Sequence, residues 1–169
     1  MKKQTFILAV LFAIISIGLN AFIIYQSCLR GSASTQWSSP VVDFFANILN
    51  RISPGTINQD NISTFSNIIR KLFGHFGLFM MNGVFTTLSI SYFSLILNLK
   101  KKKLSIILIS LVIGVSISFL TEIIQLSIQG RSGEFTDALI DVSGYIIGFA
   151  ISYLIAHFKL LKTPKIDCK

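Results

Sequence analysis

The chain has 169 residues, 52% hydrophobic and 13% charged, with a mean hydropathy of +0.71; a chain so apolar and so poor in charge is a membrane protein, not an ordinary soluble domain. Its formal charge of +8 does not mark a nucleic-acid binder. The lysines and arginines stand at the ends of apolar runs, where lipid headgroups meet them, and are not spread over a polar domain.

Residues 6–25, FILAVLFAIISIGLNAFIIY, carry no charge and only Ser16 and Asn20 as clearly polar side chains, enough to cross the hydrocarbon layer as a helix. The run is longer than the apolar part of a usual signal peptide and lacks a small-x-small cleavage site. Tyr25, Gln26 and Ser27 before Cys28 are likewise a poor match to a lipoprotein signal. A polar region, 26–74, follows. Within it SPVVDFFANILNRI has Ser39 and Pro40 as a helix start and Val42, Phe45, Ile48, Leu49 and Ile52 at helical spacing, which predicts an amphipathic helix along the membrane surface or across the ends of the spans.

The second span is predicted at 75–97, the third at 104–126 and the fourth at 137–158. Lys2 and Lys3 precede the first span, Lys100 to Lys103 join the second to the third, and Lys159, Lys162, Lys165 and Lys169 follow the fourth. Short cytoplasmic segments collect such residues, so both termini are expected in the cytoplasm and the 26–74 region and 127–136 loop outside. Cys28 and Cys168 then lie on opposite sides of the bilayer and cannot pair within one chain. The spans must satisfy their backbone groups internally and lack the steady alternation of barrel strands, so the expected fold is an all-α membrane protein. It is one domain over 1–169, a bundle of four transmembrane helices with an outer-face loop and amphipathic helix between the first and second spans.

This topology gathers the polar residues at the outer end. Glu122 and Gln125 share a face of the third span, with Ser118 one turn deeper. Lys71, His75, Leu78 and Asn82 form a stripe approaching the second span, with Arg70 and Gly74 beside it, and Asp137, Asp141, Gly144 and Gly148 run down the fourth. Turning such groups toward lipid is costly, so all three stripes are expected to face one interior. Gly144 and Gly148 make a small-x-x-x-small packing surface, with Gly114 and Ser118 as a candidate partner.

Arg70, Lys71, His75, Arg131, Glu122, Gln125, Asp137 and Asp141 are the candidate ligand-binding residues; arginines can grip a phosphate or anionic headgroup while a glutamate fixes their direction. A structural ion pair stabilising the bundle accounts for Glu122 with Arg131 or Arg70 equally well. His75 with Glu122 or Asp137 is a candidate general acid–base pair. No serine or cysteine nucleophile is marked, and His157 lies at the opposite end of the fourth span. No metal site and no cofactor are therefore expected. A channel is disfavoured, because the inner parts of the first three spans are mainly apolar.

IIRKLFGHFGLF followed by TEIIQLSIQGRSGEFTDALIDVSGYIIG resembles the VanZ-like family of small bacterial membrane proteins. Arg70, Lys71 and His75 correspond to its basic element, Glu122 and Gln125 to its acidic helix element, Arg131 to its loop arginine, and Asp137, Gly144 and Gly148 to the start and packing positions of its last span. The likeness covers roughly residues 36–158, with Ser38 and Ser39 in the first outer loop; Asp141 stands where the family usually has Asn. The resemblance implies a bacterial cytoplasmic membrane protein linked to teicoplanin resistance or envelope homeostasis. The expected ligand is an amphiphilic anion: a phospholipid headgroup, a lipid-linked cell-wall precursor or the lipoglycopeptide itself, met by an outward-facing polar cluster. Enzymatic modification of such a molecule and a purely structural partnership with another membrane protein are the alternatives.

Overall fold

The computed structural model describes residues 2–97, 102–156 and 158. Lys100 and Lys101 of the basic loop, His157, Cys168 and the lysines at 159, 162, 165 and 169 lie outside the described residues. The described residues form α1 (Lys2–Cys28), α2 (Gly31–Ile52), α3 (Ile62–Ile69), a π-helical segment (Arg70–Gly77), α4 (Leu78–Ile96), α5 (Lys102–Leu126) and α6 (Phe135–Ala156), and no strand. Four stretches are long and apolar enough to span a bilayer: Lys3–Cys28, Ile62–Ile96, Lys103–Leu126 and Phe135–Ala156. The fold is thus the expected all-α bundle of four spans with an additional helix, α2, between the first two.

Two boundaries move. The second span begins at Ile62 rather than at 75, because α3, the π-helical segment and α4 run on as one continuous 35-residue rod. Helix α2 begins at Gly31, so Pro40 lies inside it and does not open it. Proline cannot donate to the carbonyl four residues back, and here that carbonyl, of Gln36, accepts the Ser39 hydroxyl at 3.0 Å. The serine that reads as a cap instead satisfies the oxygen that proline leaves free. Trp37, Phe44, Ile48 and Ile52 remain exposed along α2.

α4 lies centrally, packed against α1, α5 and α6, most extensively against α6. Backbone contact explains why. A Cβ on Gly148 would lie 1.9 Å from the Met80 carbonyl oxygen, and one on Gly144 2.3 Å from that of Phe76. Close approach, which drives helix association where no hydrophobic force separates protein from lipid, therefore joins α6 to the rod of the second span. The Gly114–Ser118 face is not its partner; Gly114 instead accommodates the Tyr145 ring.

The apolar core cluster is small, Ile23, Phe79 and Tyr145, while many large apolar side chains face outward. The middle of the bundle is polar. Asn82 Nδ2 donates to Asn20 Oδ1 at 2.8 Å, Thr86 to Asn82 Oδ1 at 3.1 Å, and Ser16 and Thr86 share a hydrogen bond of 2.6 Å. Thr87, Ser89, Ser91, Ser94, Ser110 and Ser152 are also buried, so the far half of the bundle is richer in interior hydroxyls than the expected mainly apolar lining.

Candidate functional site

The π-helical segment carries three basic side chains of the site, Arg70, Lys71 and His75. In a π-helix the backbone bonds from i to i+5, and such segments often accompany functional sites. Arg70 and His75 are five residues apart and both line the same cavity. Gly74 lines it as well, and Lys71 and His75 both meet Asp137, so the stripes expected from the sequence persist beside this pairing. α5 contributes Glu122 and Gln125, the 127–134 turn contributes Arg131, and α6 contributes Asp137 and Asp141.

Three acids surround one imidazole. His75 Nδ1 is 3.1 Å from Asp141 Oδ1 and 4.0 Å from Glu122 Oε1, while Nε2 is 3.9 Å from Asp137 Oδ2. Glu122, Asp137 and Asp141 are all buried, Asp141 to 1% exposure. Lys71 is fixed between Glu134, at 3.3 Å, and Asp137, to which it also donates. The Glu134 amide donates to Glu122 Oε2 at 3.0 Å, tying the start of α6 to α5. Glu134 is itself exposed, and Lys71 holds its carboxyl below the usual carboxylate range.

The two arginines differ. Arg131 donates to the carbonyls of Leu29 at 3.3 Å and Gln26 at 2.7 Å and to Gln125 Oε1 at 3.2 Å. It therefore pins the turn to the end of α1, closing a helix terminus whose carbonyls lack helical partners. Burial, then the nearby Arg70 guanidinium, lowers its pKa while Glu122 raises it; an arginine so placed remains a cation. Arg70 makes a single hydrogen bond among the described residues, to Ser34 Oγ at 3.4 Å. Gly31 brings α2 against the same turn, its amide donating to Gln129 O at 3.2 Å; a Cβ there would sit 1.9 Å from Gly130 O. Gly130 itself has φ +76°, a left-handed conformation that glycine adopts without strain.

Between α1, α2, the π-helical segment and α5 lies a cavity of about 280 Å³. Phe22, Ile23, Trp37, Val41, Phe73 and Phe79 give it an apolar wall, and Arg70, His75, Gln125, Arg131 and Asp141 a polar one. All eight candidate ligand residues lie at this end of the bundle, with their roles divided. Arg70, His75, Gln125, Arg131 and Asp141 reach the cavity, Glu122 stands behind His75, and Lys71 and Asp137 form a support pair. The core of the cluster is accordingly buried and not an open outward face. Sequence reasoning missed Ser34 and Thr121, which also line the cavity, because isolated hydroxyls carry no distinctive signal.

A family model described as VanZ/LLP1 matches residues 6–156. No curated protein and no solved structure matches the chain.

Proposed function

The chain belongs to the VanZ/LLP1 family, and we propose that it is a membrane-embedded enzyme that modifies an amphiphilic lipid or lipid-linked cell-wall precursor, with His75 and its carboxylates handling protons at the headgroup. One observation carries this reading: His75 and Asp141 line a cavity whose other lining residues are largely apolar. An amphiphile meets both needs at once, its chain on Phe22, Trp37 and Phe73 and its head near Arg70. An imidazole held within 4.0 Å of three carboxylates has the composition of a general acid–base centre. Asp137, braced by Lys71, orients the ring. Arg70, with most of its donors uncommitted among the described residues, is suited to a phosphate or other anionic head.

The orientation belongs to the same proposal. Lysines flanking the spans support cytoplasmic termini and with them a cavity near the outer leaflet, where an effect on envelope homeostasis or teicoplanin resistance would arise.

The test is incubation of detergent-purified protein with a panel of phospholipids and lipid-linked wall precursors, read by mass spectrometry. A product of changed mass is expected, His75→Ala abolishing turnover while retaining substrate and Arg70→Ala weakening capture. An unchanged panel across all classes overturns the enzyme reading; capture without turnover favours a binding protein.

A further inference from the structure

We infer that His75, Glu122 and Asp141 form a binding site for a first-row divalent metal ion, with the cavity supplying its open coordination position. One ligand atom from each of the three side chains lies within 4.8 Å of the other two. Bonds of roughly 2.1 Å at tetrahedral angles require donors about 3.4 Å apart. His75 Nδ1 is already 3.1 Å from Asp141 Oδ1 and 4.0 Å from Glu122 Oε1, and with all three donors within 4.8 Å, side-chain adjustments of about 1 Å close the set.

Three further observations point to a cation. Among the described residues Asp141 Oδ2 is buried without a hydrogen-bond partner, on a residue 1% exposed. An unpaired carboxylate oxygen in that setting is costly, and coordination through Oδ2, alone or together with Oδ1, answers it. Next, the two imidazole nitrogens face different partners: Nδ1 faces Asp141 and Glu122, while Nε2 faces Asp137 Oδ2 at 3.9 Å. Metal-bound histidines almost always turn their second nitrogen to a carboxylate or carbonyl, which fixes the tautomer. Asp137 is held by Lys71, and Glu122 by the Glu134 amide and by Gln125 Nε2 at 3.4 Å, so the outer shell is also present. Third, Lys71 directly pairs with Asp137 and Glu134, and the hydrogen bonds of Arg131 go to carbonyls and Gln125. Among the described residues Glu122 and Asp141 thus share only the His75 imidazole as a basic group within 4.0 Å; a dication with a neutral imidazole balances both.

The donor set, one imidazole and two carboxylates without sulfur, suits Zn²⁺, Mn²⁺ or Fe²⁺ and disfavours Cu⁺. Of its ligands His75 and Asp141 line the cavity, leaving room there for water or a substrate oxygen. The inference uses the cluster of the proposed function but does not depend on turnover; with an ion on Nδ1, His75 serves as ligand and an ion-bound water as proton source.

Full-length protein in detergent, stripped with chelator, is titrated with Zn²⁺, Mn²⁺ and Mg²⁺ by calorimetry, and metal content is measured after desalting. The expected result is one equivalent of Zn²⁺ or Mn²⁺, with Mg²⁺ weaker. Asp141→Asn and Glu122→Gln should each weaken binding by more than roughly tenfold, and Asp137→Asn by roughly tenfold through the outer shell. Asp43→Asn, on exposed α2, should leave it unchanged. Circular dichroism and size exclusion identify any variant that fails to fold, and the isosteric substitutions guard against that. Wild-type protein that binds none of these ions saturably, or folded variants of Asp141 and Glu122 that bind as tightly as wild type, overturn the metal site. Turnover by protein that binds none of these ions saturably sinks the metal inference and keeps the enzyme; saturable metal binding without turnover does the reverse.

Discussion

Two buried polar regions share this bundle, and their chemistry differs sharply. Along the middle and far half, the interior is built from hydroxyls and amides: Ser91 donates to Thr87 O at 2.7 Å, Ser94 to Ser91 O at 2.8 Å, and Asn82 joins Asn20 at 2.8 Å. Most of these bonds stay within a helix or join two neighbours, and the residues are small, which lets helices approach. At the other end, ionisable groups from the π-helical segment, α5 and α6 meet beside a cavity. In the first region Thr87, Ser110 and Ser152 keep buried hydroxyls without a partner among the described residues, and in the second one carboxylate oxygen, Asp141 Oδ2, does. A buried carboxylate oxygen costs far more than a hydroxyl. Close approach of small residues accounts for the hydroxyl region, whereas the ionisable region holds more charge than packing requires.

Mutations can break this contrast. The largest effect is expected at Gly148, which serves both regions by holding α6 against the second span. Gly148→Leu places side-chain atoms where the Met80 backbone stands, and the overpacking cost of roughly 1–3 kcal/mol or more should leave little folded protein by size exclusion in detergent. Next, Arg131→Ala removes two hydrogen bonds that fasten the turn to the end of α1 and a third to Gln125 on α5. A loss of about 1–3 kcal/mol is expected from stranding part-buried carbonyls, seen as a lower midpoint in denaturant unfolding. Should stability stay unchanged while ligand capture falls, Arg131 belongs with Arg70 as a ligand contact.

Asn82→Ala probes the hydroxyl region. Membrane-buried hydrogen bonds average about 0.6 and reach about 1.7 kcal/mol, so a modest loss of stability with unaltered metal binding is expected. Any change in metal affinity would erase the separation between the regions.

The smallest effect concerns pH. Lys71 depresses the Glu134 carboxyl, so the stability from that pair is present above the unfolded value of about 4.3 and is lost as pH falls through the lower folded value. Because Glu134 is fully exposed, the difference between wild type and Glu134→Gln should be small. It should appear in amide hydrogen exchange at the start of α6 above that window and vanish below it.

The spans were legible because long uncharged runs need few assumptions, and the polar end of the bundle was legible because charge inside a membrane must converge on something. The partners were not. Lys71 and Asp137 are 66 residues apart, and nothing in either neighbourhood specifies the pairing. Pro40 misplaced the start of α2 because the compensating hydroxyl of Ser39 is visible only once Gln36 is seen to accept it. Gly144 and Gly148 announce close packing, but glycine spacing does not name the opposing helix.

The π-helical segment carries a consequence for how the site is encoded. Over residues 70–77 the wider winding sets Arg70 and His75, five residues apart, about one turn from each other, and both line the cavity. Chain length through this segment is therefore as much a determinant of the site as the identity of its side chains. Deleting one glycine there, with every ionisable residue retained, should let the ladder revert to ordinary helix and turn the downstream span relative to the basic residues. A histidine can be kept and its site still lost, by arithmetic alone.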